Sequence, residues 1–215
     1  MRTKLGNCLG TTLIESLVSL LLGVVMISAL YGFYRSELFH YLTREAKTTT
    51  LEDARGALDI MVQDLINAGS WGTGSVPSER GGEDDPDQDP DAVCNRVYAA
   101  SASMIHVQMD LDGNGSCADT EPRENIRYEL TGPTSTCPGP KIIRRNGDCL
   151  IANVVAVDGG LFRYYDSAGT ALGDTPVPQA IKRVRVAFAV QLKNPDPAAG
   201  GNISSTLATS VEFRN

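Results

Sequence analysis

An uncharged apolar run near the N-terminus constrains this chain more than any other feature. Residues 16–34 carry no charge, a run of about 19 that approaches the roughly 20 residues needed to cross a bilayer as a helix. Arg2 and Lys4 precede the run, and no acid offsets them. Because a positive flank stays in the cytoplasm, we expect the chain after Arg35 to face outward.

Three interpretations account for this segment. A secretory signal peptide cut near Ala29 explains the positive flank, but its apolar core is usually only about 7 to 15 residues long. A plain membrane anchor explains the length but not Glu15, which stands at the start of the run. A carboxylate in the membrane costs about 2.5 to 3.5 kcal/mol on insertion scales, so it usually has a partner and a function. Cleavage after Gly10 is the third interpretation, and it supplies that partner.

Residues 10–15 read GTTLIE after a short basic leader, and they resemble the processing signal of type IV prepilins and type II secretion pseudopilins. The resemblance implies that a prepilin peptidase removes residues 1–10 after Gly10 and that Thr11 becomes the first mature residue. Its new α-amine can pair with Glu15 in the same subunit or in a neighbour and so set the register of a fibre. The family usually has an N-methylated Phe at this position, where this chain has Thr11.

The apolar pattern continues past the uncharged run at three- and four-residue steps, which is typical of an amphipathic helix. The positions concerned are Leu38, Leu42, Leu51, Ala54, Leu58, Met61, Val62 and Leu65. Gly69 is placed to end the helix. We predict a transmembrane and assembly half over 11–34 and an amphipathic half over 35–69 that packs on a sheet.

After the helix, the composition of the chain predicts first a loop and then a β-rich domain. Residues 70–95 are rich in Gly, Pro and acids and predict a solvated loop. Residues 96–215 predict a β-rich globular domain, because short β-branched and aromatic runs alternate with turn residues. The predicted strands cover 104–109, 125–130, 141–145, 154–165, 184–192 and 205–213. The fold class is therefore α+β: a long N-terminal helix packed on an antiparallel sheet.

The chain has five cysteines. If Cys8 leaves with the leader, four remain outside the cytoplasm, where disulfides persist. Four cysteines allow three pairings, and we predict Cys94 with Cys117 and Cys137 with Cys149. The chain has no C-x-x-C spacing and two histidines, so the sequence predicts no zinc site.

One segment matches a calcium-loop pattern. Asp110, Asp112, Asn114, Ser116 and Glu121 stand at the spacing of an EF-hand loop, whose oxygen atoms converge on a hard cation. Predicted strands flank it instead of helices, and a β-hairpin turn uses the same residue types for backbone reasons. Calcium binding and a plain turn both remain open, and calcium is the one cofactor predicted.

No sequence pattern indicates an enzyme: G-x-S-x-G, a P-loop and a histidine-anchored nucleophile are all missing from the sequence. The net charge of -7, without basic clusters, disfavours nucleic acid as the partner.

The segments 64–72 (DLINAGSWG), 126–130 (IRYEL) and 155–166 (VAVDGGLFRYYD) resemble PilW-type minor pilins and the related J-type pseudopilins. The resemblance implies a minor pilin that initiates a type IV pilus or lies at its tip. The alternatives are a type II secretion minor pseudopilin and a calcium-dependent adhesive module on a pilin stalk. The implied partners are other pilin subunits, the prepilin peptidase and the inner membrane. The implied location is a single-pass inner-membrane protein with a periplasmic C-terminal domain, later part of the fibre.

Overall fold

A computed structural model describes residues 12–70, 95–112, 122–195 and 200–213. Residues 1–11, 71–94, 113–121, 196–199 and 214–215 lie outside the described part, and most of the predicted acidic loop lies there. The chain forms two compact units. The first contains the helical residues up to Glu45, and the second contains the helical residues from Ala46 onward together with the β-strands.

The helix α1 runs from Leu13 to Asn67. Gly69 follows it with φ of 76°, a left-handed conformation that glycine adopts at helix ends without a steric penalty. The predicted end of the helix is confirmed. On the C-terminal part of α1, Ala54, Ala57, Met61 and Leu65 are buried, and their spacing of three and four places them on one face. This face packs in the core, which confirms the predicted α+β architecture.

The first sheet is an antiparallel meander in the order β1-β2-β3-β4-β5. Its strands are β1 (Val97–Ser101), β2 (Met104–Gln108), β3 (Asn125–Thr131), β4 (Ile142–Arg145) and β5 (Asp148–Ile151). Asn146 and Gly147 join β4 to β5 with positive φ angles of 50° and 89°, as tight hairpin turns require.

The second sheet is built around one long strand. Its strands are β6 (Val154–Ala156), β7 (Phe162–Tyr165), β8 (Arg183–Lys193) and β9 (Asn202–Glu212), and a short 3-10 helix, Pro178–Ala180, precedes β8. Both β6 and β7 pair antiparallel with β8, and β9 pairs with β8 over its full length.

The structure corrects the predicted strands in three places. The single predicted sheet is divided into two. The predicted strand 154–165 is interrupted, because Asp158 and Gly159 turn the chain with φ angles of 55° and 90°. The strands β1 (VYAAS) and β5 (DCLI) were not predicted, since each contains only one or two β-branched or aromatic residues and gives a weak strand signal.

One apolar core holds α1 and both sheets together. Its largest fully buried side chains include Met61 and Leu65 from α1, Tyr128 from the first sheet and Tyr164 and Phe188 from the second. The backbone also joins the sheets, because the Ala102 carbonyl accepts hydrogen bonds from the amides of Leu161 (2.7 Å) and Phe162 (3.0 Å). The predicted disulfide between Cys137 and Cys149 is present, with Cα atoms 6.1 Å apart, and it ties the loop before β4 to β5. Cys94 and Cys117 lie outside the described residues.

Candidate membrane and assembly segment

The N-terminal half of α1 presents an apolar surface that no described part of the chain covers. The most apolar window of this helix has none of its residues buried. Leu13, Leu20 and Met26 are 83%, 71% and 70% exposed. By length and composition, α1 is long and apolar enough to cross a membrane.

Glu15 caps the helix at its N-terminus. The Thr12 amide lies 3.4 Å from a Glu15 carboxylate oxygen, and the Glu15 amide lies 3.3 Å from the Thr12 hydroxyl. This reciprocal pair is a capping box, in which the side chains of Thr12 and Glu15 accept from two amides at the start of the helix. The T-x-x-E spacing at 12–15 is the sequence signal for it, and our sequence interpretation of Glu15 did not include this role.

Gly10 and Thr11, the predicted processing residues, lie outside the described residues. Pairing between Glu15 and the Thr11 amine therefore stays a prediction. The capping box is compatible with it, because a carboxylate has two oxygens and accepts several hydrogen bonds.

A polar triad anchors the C-terminal half of α1 to the first sheet. The Arg145 Nε atom donates to Asp64 Oδ2 at 2.8 Å and lies 3.2 Å from the Tyr128 hydroxyl. The Tyr128 hydroxyl also donates to Asp64. Burial raises the pKa of Tyr128 above its ordinary value of 10.0, and the hydrogen bond to Asp64 raises it further. The hydrogen bond to Asp64 also raises the pKa of Arg145.

The predicted calcium loop is partly described, and its described residues come together with one more acid. Asp110, Asp112 and Glu124 each place a carboxylate oxygen within 4.8 Å of the others. Asp110 and Glu124 are buried and Asp112 is exposed. Glu124 accepts hydrogen bonds from the amides of Leu111 (2.6 Å) and Asp112 (3.0 Å). The other predicted ligands, Asn114, Ser116 and Glu121, lie outside the described residues.

Glu124 was missed because it lies beyond the twelve-residue calcium pattern. The register of the β2–β3 hairpin places Glu124 beside Asp110 and Asp112. Gln108 pairs with Asn125, so the next residue of β2's chain, Met109, lies opposite Glu124. The Met109 amide donates to the Glu124 carbonyl at 2.8 Å. The sequence alone does not contain that register, because it depends on which residues of the two strands pair.

No protein-family model, curated protein or solved structure matches this chain. The exposed half of α1 and its first turn therefore provide the main basis for a functional proposal. Chemically, a segment of this kind can partition into lipid or pack against another apolar helix.

Proposed function

We propose that this chain is a prepilin-like subunit that is cut after Gly10, anchored in the inner membrane by α1 and then assembled into a fibre. Within that class, we propose a PilW-type minor pilin that acts in initiation or at the tip of a type IV pilus. The C-terminal domain then faces the periplasm.

The exposed apolar half of α1 carries this proposal. Covering one Leu, Ile or Phe side chain is worth about 1.5 to 3 kcal/mol relative to leaving it in water. Leu17, Leu21 and Leu30 are among many such side chains that are more than half exposed. A surface of this kind favours lipid before assembly and neighbouring helices after it, which is the exchange a fibre subunit undergoes.

Glu15 supports the same proposal. An ionised carboxylate at the start of a membrane helix is costly unless it is paired. The capping box gives the carboxylate one amide donor, the Thr12 N–H, and the amine that cleavage frees at Thr11 supplies a cation. That pairing gives the fibre a defined register.

Processing is tested by Gly10→Ala in the full chain. We expect the variant to keep its leader and to run as a longer band than the wild type. N-terminal sequencing of the wild-type protein is the sharper measurement. A mature terminus at Thr11 supports the proposal, whereas a terminus near residue 30 would identify a secretory signal peptide and contradict it.

The charge of Glu15 is tested apart from its capping role by two substitutions. Glutamine also forms a capping box, so Glu15→Gln keeps the cap and removes the charge, whereas Glu15→Ala removes both. If assembly needs the charge, both variants are cleaved but form few fibres. Normal fibres with Glu15→Gln would mean that Glu15 acts as a cap alone.

A type II secretion pseudopilin remains the nearest alternative within the same class. Deleting the gene separates the two, because loss of surface pili with normal protein secretion supports the pilus. Loss of secretion with normal pili would assign the chain to a secretion system.

A second candidate function, calcium-dependent binding on the pilin stalk, is favoured by the cluster of Asp110, Asp112 and Glu124. Calcium binds carboxylate and carbonyl oxygens, and binding to the folded state raises the melting temperature. We expect millimolar calcium to raise the melting temperature of the full chain in detergent, and Asp112→Asn to abolish the increase. Asp174→Asn, an exposed acid outside the cluster, is the matched control. No increase in the wild type would exclude this candidate.

A further inference from the structure

The strand β9 forms a long and regular edge of the second sheet. It has eleven residues, Asn202–Glu212, and each of them pairs with β8 without a register shift. Within the described part of the chain, β8 is the only strand that pairs with β9.

The hydrogen-bond pattern shows which backbone groups face away from β8. The Asn194 amide donates to Gly201, and the Phe213 amide donates to Lys182 at 2.9 Å. Antiparallel partners alternate between bonded and non-bonded pairs, so the odd-numbered residues of β9 bond to β8. The even-numbered residues from 202 to 212 therefore direct both their N–H and C=O groups outward.

The edge of β9 lacks the features that protect exposed edges. Such edges are usually short, irregular or charged, because a free strand edge pairs with other chains. In the first sheet, the edge strand β1 has five residues and a register shift between Val97 and Ala99. The other edge strand, β5, has only four. In contrast, β9 contains no Pro, Lys or Arg, and its one charged residue is Glu212 at its end.

We propose that β9 pairs antiparallel with β9 of a second copy of this chain, about a twofold axis at Leu207. The strand is nearly palindromic in character, so this register places similar side chains opposite each other except where Thr206 meets Ala208. The opposed pairs are Ile203 with Val211, Ser204 with Ser210, Ser205 with Thr209, Thr206 with Ala208, and Leu207 with itself. Symmetric dimers require such a self-complementary surface.

Hydrogen bonding and charge both favour this register. The even-numbered residues meet one another, so their outward groups form about twelve interchain hydrogen bonds. Cross-strand pairs of hydroxyl or of apolar side chains add stability. Glu212 lies opposite Asn202, whereas parallel pairing brings Glu212 beside its own copy and opposes association. The second sheets of the two chains become one continuous sheet, as in other strand-addition complexes.

This dimer does not rest on the proposed function, because its contacts lie wholly in the second sheet. Cross-linking of the full chain in detergent tests it. At a non-bonded antiparallel pair the Cα atoms lie about 4.5 Å apart, a separation that permits a disulfide. We expect Leu207→Cys to give a dimer band on a non-reducing gel after addition of an oxidant, and the wild type to give none.

Glu212→Cys is the matched control, because its two copies lie roughly 30 Å apart in the antiparallel register. It should not cross-link. A dimer with Glu212→Cys, or none with a Leu207→Cys protein that melts like the wild type, would overturn the proposal. The Leu207→Cys dimer should persist when Glu15→Ala is added, and its disappearance would assign the contact to α1 instead.

A proline variant tests the edge without cysteine chemistry. Thr206→Pro removes one outward N–H and keeps the bonds to β8, since an edge strand tolerates proline whose N–H side faces outward. We expect light scattering in detergent to give two chains per particle for the wild type and one for Thr206→Pro, at unchanged melting temperature. A monomeric wild type, or a dimeric Thr206→Pro protein, would contradict β9 pairing.

Discussion

The two halves of α1 have the same secondary structure and opposite surroundings. In the N-terminal half, Leu13 and Leu20 are 83% and 71% exposed. In the C-terminal half, Met61 and Leu65 are fully buried, and Asp64 bonds to β-strand residues. A helix satisfies its own backbone in either setting, so its side chains alone decide what each half contacts.

This difference separates stability from assembly. The C-terminal half contributes to the folding free energy of the domain, because its apolar face leaves water when the chain folds. Among the described residues, the N-terminal half contributes nothing comparable, because none of its most apolar window is buried there. The same substitution should therefore have different consequences in the two halves.

The largest expected effect comes from truncating a buried leucine. Leu65→Ala should lower the free energy of unfolding by about 2 to 5 kcal/mol, because it leaves a cavity in the core. Leu21→Ala, at a position 57% exposed, should change it by less than about 0.5 kcal/mol. Urea unfolding of the full chain in detergent, followed by circular dichroism, measures both. Equal losses would remove the distinction between the halves.

The next effect concerns the polar anchor of the C-terminal half. Asp64→Ala leaves Arg145 and Tyr128 without their shared acceptor, and hydrogen bonds to charged groups are worth about 1.5 to 3 kcal/mol. The same unfolding measurement should show a loss of that size. Asp59→Ala, an exposed acid on the same helix, should stay within about 0.5 kcal/mol of the wild type. An Asp64→Ala variant as stable as the wild type would mean that apolar packing, not the triad, anchors this half of α1.

A smaller effect is expected where the chain near β7 meets the turn between β1 and β2. A Cβ atom at Gly160 would lie 2.6 Å from the Ala102 carbonyl oxygen, so Gly160→Ala must displace backbone and should cost about 1 to 3 kcal/mol. Gly132→Ala is the matched control, because nothing lies within 4 Å of its Cβ position. Comparable stability of the two variants would show that the sheets shift freely at this contact.

The smallest effect is a dependence on alkaline pH. Burial raises the pKa of Tyr128 and of Tyr164 above 10.0, so both keep their protons in the folded state while the unfolded chain loses them. Their contribution is complete below about pH 10 and falls above it by about 1.4 kcal/mol per pH unit for each tyrosine. Tyr164→Phe should remove the contribution of one tyrosine, so the free energy of unfolding should fall less steeply with pH above pH 10 than in the wild type. An unchanged slope would contradict the assignment.

Much of the fold could be predicted because local patterns determine it. The end of α1 follows from Gly69, and the strands around Ile105, Tyr128 and Val186 follow from short β-branched and aromatic runs. The candidate site was less predictable. Asp110 and Asp112 stand in a recognisable spacing, but Glu124 joins them only through hairpin register.

By itself, the sequence predicted a long helix with an apolar first half, followed by β-strands and by cysteines suited to disulfides in any of three pairings. These features depend on residues close together in the chain. Only the tertiary structure decided that the strands form two sheets, that Asp64 bonds to Arg145 across 81 positions, and that β9 is a free edge among the described strands. Contacts between distant residues depend on how whole elements pack, and no local period encodes that packing.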